Sequence, residues 1–318
     1  MPQDICITES FDRTRSSGTA VPRLWWWARR YDGGVADETS DKRSDSEPVW
    51  TNDRLKNPHA VADKQRRVRD MFAAIAPSYD LNNRLFSFGT DQRWRKKAVK
   101  LSRLKADDVV VDVACGTGDL TLAYADGLLR AGGSPDAAHR ITGIDYTFEM
   151  LPRAAAKWAR SVTYGELACD DPDAHPGVDS FVRFVHGDAQ NLPLPDACCD
   201  VVSIAFGIRN VGDPMRAYRE FRRVLRPGGR VVVLEFSKPT NGLIRAGYNV
   251  YFNHVLTRLA ALVARDRTGA YRYLASSVET FKTRGQMKAD LESAGFGDVE
   301  VHPLTFGVAV IYVGFARP

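Results

Sequence analysis

From Val61 to Leu101 apolar residues recur at helical spacing: Val68, Met71, Phe72 and Ile75, then Leu81 and Leu85, then Trp94 and Val99. Residues three and four apart share one face of a helix, so this stretch predicts amphipathic helices. Pro77 and the run F-S-F-G-T, Phe86 to Thr90, divide it into two or three pieces. From Asp107 the period changes. Short β-branched runs at 109–113, 141–145, 181–185, 200–205 and 230–235 predict strands, with helical patterns around 119–130, 147–160 and 213–225 between them. Strands that alternate with helices imply βαβ units and a parallel sheet. The run R-P-G-G-R, Arg226 to Arg230, ends a helix and feeds the next strand, with glycine at the left-handed position. The tail departs from this rhythm. A helix near 284–294 is followed by D-V-E-V-H-P-L and V-A-V-I-Y-V-G-F-A, two strands joined by a short Thr-Phe-Gly connection, which reads as an antiparallel pair. Two stretches, 131–140 and 163–179, lengthen connections without bringing chemistry of their own.

Residues 1–58 show no period. They mix Ser, Thr, Asp, Arg and Gly, and they are expected to form a disordered extension. Within them Trp25, Trp26 and Trp27 beside Arg29 and Arg30 have the composition of a small interfacial anchor. The expected organisation is therefore an extension over 1–58, a helical substrate cap over 59–105, and a core over 106–318. A helical lid is expected within that core at about 240–280, because apolar residues from Leu243 to Ala264 recur at helical spacing.

Charged residues make up 26% of the chain and hydrophobic ones 44%, the balance of a soluble globular protein. No run approaches a membrane span, and the first 30 residues lack a signal-peptide core, so a cytoplasmic location is expected. Cys6, Cys115, Cys169, Cys198 and Cys199 have no metal-ligand spacing and read as reduced thiols. A net charge of +5 is too small to imply nucleic acid. Yet residues 60–100 hold ten Lys and Arg against four Asp, which suits transient contact with the anionic inner face of a membrane.

Chemistry concentrates at the predicted strand ends. In an open parallel sheet, ligands bind beyond the carboxyl ends of the strands. The first strand runs into D-V-A-C-G-T-G-D-L-T, Asp112 to Thr121. Gly116 and Gly118 permit a tight turn and close approach of a ligand, and the following helix start offers N–H groups to an anion. A dinucleotide loop requires a third glycine. Thr121 stands there instead, so the pattern fits the loop of S-adenosylmethionine sites: an acid, three residues, then Gly-x-Gly. After the second strand stands Asp145, a carboxylate placed to accept both ribose hydroxyls. It lies 29 residues beyond Gly116, and the 131–140 insertion accounts for the length. After the third strand come Asp188 and Ala189, an acid for an adenine amino group and an N–H for a ring nitrogen. After the fourth comes S-I-A-F-G-I-R-N-V, with Arg209 and Asn210 where substrate oxygens would lie. The sequence thus predicts an α/β fold, a Rossmann-like class I methyltransferase. Its sheet is seven-stranded and mostly parallel, with an antiparallel last strand and helices on both faces.

The segments R-D-M-F-A-A-I-A-P-S-Y-D-L-N-N-R-L-F-S-F-G-T-D-Q-R-W-R (Arg69 to Arg95), D-V-A-C-G-T-G-D-L-T, F-G-I-R-N-V, R-V-L-R-P-G-G-R-V-V-V-L-E-F-S-K-P and Y-R-Y-L-A-S-S-V resemble those of the ubiquinone/menaquinone biosynthesis C-methyltransferases. The resemblance covers about 62–318. It implies methylation of a ring carbon of a polyprenylated quinol, demethylmenaquinol or a 2-methoxy-6-polyprenyl-1,4-benzoquinol. It also implies donor binding by Thr117, Asp145, Asp188 and Ala189, joined here to Asp112, Gly116 and Gly118. The family often carries Ser where Ala205 stands, so no side-chain contact is expected there. Arg209 and Asn210 are expected to stabilise the forming phenolate, with Tyr79 and Asp80 closing the site. No metal is called for. The competing readings are an O- or N-methyltransferase of another small molecule, and a non-catalytic donor-binding subunit. The assembly stands open between a monomer and a homodimer.

Overall fold

The structure is a computed structural model that describes residues 49–87, 89–134, 137–163, 181–242, 244–246 and 269–317. The expected anchor and all of the N-terminal extension before residue 49 lie outside the described residues, as do residues 247–268 of the expected lid and nearly all of the 163–179 insertion.

Seven strands form one sheet: β1 Val110–Val113, β2 Ile141–Asp145, β3 Val182–His186, β4 Cys199–Ala205, β5 Leu225–Phe236, β6 Phe296–Leu304 and β7 Ala309–Ala316. Their order is β3-β2-β1-β4-β5-β7-β6. The pairings from β3 through β5 are parallel, and β7 runs antiparallel between β5 and β6. The expected parallel sheet closed by an antiparallel strand is thus what forms. The R-P-G-G-R turn is present too. The ladder of β4 and β5 jumps from Cys199↔Leu225 to Val201↔Arg230, and Gly228 takes φ +78°.

Nine helices are described: α1 Asn52–Lys56, α2 Lys64–Ile75, α3 Tyr79–Ser87, α4 Thr90–Leu101, α5 Asp119–Arg130, α6 Leu151–Thr163, α7 Pro214–Val224, α8 Ala270–Thr280 and α9 Arg284–Ser293. Side chains alternate across a strand, so both sheet faces bury apolar residues where helices cover both. Val111, Val113, Val202 and Ile204 pack with Tyr218 and Phe221 of α7 and Leu291 of α9. Val110, Ile141, Val201 and Val232 point the other way, to Trp94 of α4, Tyr124 of α5 and Trp158 of α6.

A third cluster corrects the expected boundary at residue 58. Trp50 is fully buried and stacks on Tyr273 of α8 with ring centroids 4.3 Å apart. Val68 and Met71 of α2 complete the cluster. The folded chain therefore includes residues from Val49 on. Two adjacent apolar residues, Val49 and Trp50, leave no periodic trace, but the burial of Trp50 against α2 and α8 is a tertiary gain.

Candidate active site

An open cleft of about 720 Å³ lies at the carboxyl ends of β1 to β4. Gln65, Val68, Arg69 and Phe72 of α2 form one wall, and their i, i+3, i+4, i+7 spacing puts them on one helix face. Tyr79 of α3 joins them. The opposite wall is built from the strand-end loops: Gly116, Asp145, Asp188, Ala189, Phe206 and Asn210 all line it.

The loop after β1 turns through Gly116 at φ +56° and Gly118 at φ +84°. A Cβ on Gly118 would stand 3.1 Å from the Ala154 methyl of α6, so loop and helix press together only without a side chain there. Asp145 is buried and held by two backbone donors. Gly116 N–H reaches Oδ2 and Thr147 N–H reaches Oδ1, each at 2.7 Å. Burial raises its pKa and these two bonds oppose the rise. Asp188 accepts from Gln190 N–H at 2.9 Å and from the Gln65 amide at 2.8 Å.

The other expected donor residues stand behind this wall. Asp112, 1% exposed, accepts from Thr121 Oγ1 at 2.6 Å and Ser203 Oγ at 2.8 Å. Burial pushes its pKa up to about 6. It braces the glycine loop against β4 instead of facing the cleft. Thr117 donates its hydroxyl to Asp80 and accepts from Lys157 Nζ at 3.2 Å. Lys157 also pairs with Asp80 at 2.7 Å and with Asp119. Asp80 and Thr117 thus tie α3 to the loop. Gly118 caps α5 and is absent from the cleft lining.

The fourth strand end is strained. Phe206 sits at φ +57° and Ala114, across from it, at φ +52°. Gly207 is required between them, since a Cβ there would lie 2.6 Å from the Ala114 methyl. Asn210 faces the cleft with both ends of its amide fixed, Nδ2 donating to Phe206 O at 3.2 Å and Oδ1 accepting from Tyr273 at 2.9 Å. Arg209 turns away. Its Nη1 bonds Glu235 Oε1 at 2.6 Å and Phe206 O at 2.7 Å, and its guanidinium lies 5.2 Å from the Phe236 ring. This corrects the expectation of direct contact: Arg209 sits beneath the floor. Its charge still reaches the site, because it opposes the burial that raises the Tyr79 pKa, as do Arg95 and a hydrogen bond with Asn83.

Sequence reasoning missed four members. Glu235 neutralises Arg209 inside the core. Lys64, 4% exposed, donates to Arg209 O and Val211 O at 2.8 Å each, and burial lowers its pKa to about 8. Gln65 holds Asp188, and Tyr273 holds Asn210. Only Gln65 left a signal, a polar residue on the apolar stripe that carries Val68 and Phe72.

The chain matches the ubiE/COQ5 methyltransferase family over residues 60–316. It is 45% identical to a demethylmenaquinone methyltransferase of Thermus thermophilus over 244 residues, 77% of this chain and 99% of that one. It is 39% identical to a ubiquinone/menaquinone biosynthesis C-methyltransferase of Geobacter sulfurreducens over 262 residues, covering 82% and 93%. Among solved structures, a chain of the complex between the Haloferax volcanii Trm112 methyltransferase activator and a methyltransferase superposes with a TM-score of 0.50 at 20% identity. That match covers 79% of this chain and 98% of the other.

Proposed function

The chain belongs to the ubiE/COQ5 methyltransferase family, and on that premise we propose that it methylates a ring carbon of a polyprenylated quinol, with S-adenosyl-L-methionine as methyl donor. One observation carries this reading. Three successive strand ends present a glycine turn, Asp145, and Asp188 with Ala189 along one cleft, and the fourth presents Asn210.

The residues fit the donor. Asp145 suits the ribose, Asp188 and Ala189 the adenine, and the turn at Gly116 leaves room where a side chain would intrude. Bound there, the donor supplies an electrophilic methyl on a sulfonium. A quinone ring is electron-poor and does not attack it. A quinol that has lost a hydroxyl proton does, through the adjacent ring carbon. The protein's task is to aim that carbon and to stabilise the oxygen that becomes charged. Asn210 is bonded at both ends of its amide, which leaves its second Nδ2–H to meet a substrate oxygen. The Tyr79 hydroxyl keeps its proton at neutral pH and can donate it as a hydrogen bond. Arg209 contributes field from beneath the floor. Arg209 does not take the hydroxyl proton itself, since a guanidinium stays protonated and makes a poor base.

The substrate is a lipid, and the reading includes transient contact with an anionic membrane surface. Arg93, Lys96, Lys97 and Lys100 are exposed on one face of α4, and Phe306, in the turn bonded to Trp94 through Thr305, is 79% exposed. No helix among the described residues is long and apolar enough to cross a membrane.

The test is turnover of short-chain demethylnaphthoquinol and of the benzoquinol, under reductant and without oxygen, read as methyl addition by mass spectrometry. Methylated product from the quinol and none from the oxidised quinone is expected. Equal rates on both forms would overturn the mechanism.

A further inference from the structure

Arg95 of α4 is a buried charge whose partner is held loosely. Its side chain is 8% exposed. Its Nε is buried with no hydrogen-bond partner. Among the described residues its ion-pair contact is Asp91, one turn earlier, at 3.8 Å. Asp91 also serves other donors: Oδ1 accepts from Ser87 Oγ at 2.7 Å and Oδ2 from the Gln92 amide at 3.2 Å. A guanidinium left this way destabilises the protein that holds it. Such a charge points to a counter-charge that arrives with a ligand.

Its position says which ligand. The guanidinium lies 5.4 Å from the centre of the Phe206 ring, and Phe206 lines the cleft at the β4 end. The charge also acts on Tyr79, across the same end, on Asp119 at the start of α5 and on Asp112 at the end of β1. Arg95 therefore stands where α3, the glycine loop and the loop after β4 meet. The sheet order fixes the direction of the donor. With adenine at the end of β3 and ribose at the end of β2, the order β3-β2-β1-β4 leaves the amino-acid end at β1 and β4. That end carries a carboxylate.

Building on the donor reading above, we propose that Arg95 receives the methionyl carboxylate of S-adenosyl-L-methionine. A planar guanidinium matches a carboxylate with two parallel bonds, and burial strengthens both. The carboxylate then supplies the close two-bond partner that Asp91, at 3.8 Å, does not. Arg95 is in this sense a positioning residue, since holding the far end of the donor sets the line of the methyl.

The experiment compares the wild type with Arg95→Met and Arg95→Lys. Calorimetry measures affinity for S-adenosyl-L-methionine and for its decarboxylated analogue, and thermal melts are run without ligand. The wild type should prefer the carboxylate form by about tenfold to hundredfold, the scale of one charge-assisted hydrogen bond. Arg95→Met should bind both forms alike, and Arg95→Lys should recover part of the preference. Without ligand, Arg95→Met should melt close to the wild type, because at 3.8 Å the Asp91 pair is loose and the guanidinium Nε is desolvated without a hydrogen bond. If Arg95→Met keeps the wild-type preference, the proposal is wrong, and a raised KM for quinol alone would assign the charge to the acceptor oxygen instead. A melt several degrees lower with the preference unchanged would assign it to a structural pair with Asp91. A wild type that binds neither form would instead remove the donor reading itself.

Discussion

Replacing Arg209 tests whether the floor of the cleft is a structural pair or a free catalytic charge. Both side chains of the Arg209–Glu235 pair are 5% exposed or less. Arg209 makes two short bonds from Nη1, at 2.6 and 2.7 Å, and its backbone N–H reaches Glu235 Oε2 at 3.3 Å. Arg209→Met leaves the Glu235 carboxylate buried and alone. Breaking a buried pair in this way costs about 3–5 kcal/mol, against a total stability of about 5–15 kcal/mol. Glu235→Gln should cost somewhat less, since the amide oxygen still accepts. The double variant Arg209→Met with Glu235→Leu removes both charges and should recover most of the loss. Urea unfolding followed by far-ultraviolet circular dichroism gives the four stabilities of the cycle. The coupling between the two sites should exceed about 2 kcal/mol. Below the melting temperature of each variant, quinol kcat should fall by about a hundredfold while donor affinity barely moves, because Arg209 shares the Phe206 carbonyl with the Asn210 amide. Single losses under about 1 kcal/mol that simply add would refute the reasoning. The guanidinium would then be free to swing into the cleft.

Three further outcomes follow from the geometry. Asp145→Ala should weaken donor binding by about 1.5–3 kcal/mol with the fold intact, and unchanged affinity by calorimetry would remove Asp145 from the site. A chain starting at Val49 should be as stable as the full chain, whereas one starting at Asn57, or Trp50→Ala in the full chain, should lose about 3–5 kcal/mol; equal melting temperatures for all of them would return residues 49–56 to an unstructured extension. Asp112 has its pKa raised from 3.8 to about 6, so its contribution is fully present below pH 3.8 and is lost as pH rises through 6. Asp112→Asn does not titrate, and between pH 4 and pH 7 it should gain about 2 kcal/mol relative to the wild type. A constant difference across that range would show that the carboxyl is not desolvated, and donor affinity should change little in the variant.

The strands, the glycine turn and Asp145 were legible because each rests on local rules. Short β-branched runs mark strands, and the strand-end rule marks where an acid matters. Side-chain direction was not legible. Arg209 sits at the expected strand end, but it bends toward Glu235, 26 residues further on, and only the packed sheet places that carboxylate beneath it. Asp80 and Thr117 were found as residues, but the bonds they make to each other were not legible. Each satisfies the other and Lys157, a partner 40 residues from Thr117 on a different helix. Lys64 and Tyr273 are invisible for the same reason: what they hold is backbone or amide more than 60 residues away.

The sheet order has a consequence for synthesis on the ribosome. β7 is the last strand to be made, yet it lies between β5 and β6 and is buried along nearly its whole length. Until it emerges, β5 presents an open edge with the apolar run Val231–Leu234, a template for pairing with any other nascent chain. The donor end of the cleft, at β1 to β3, is by contrast complete much earlier. A polypeptide cut short before Ala309 would therefore hold its donor-facing loops beside an unfinished, aggregation-prone sheet. Proteolytic disposal of truncated product, not a half-active enzyme, is the outcome this strand order favours.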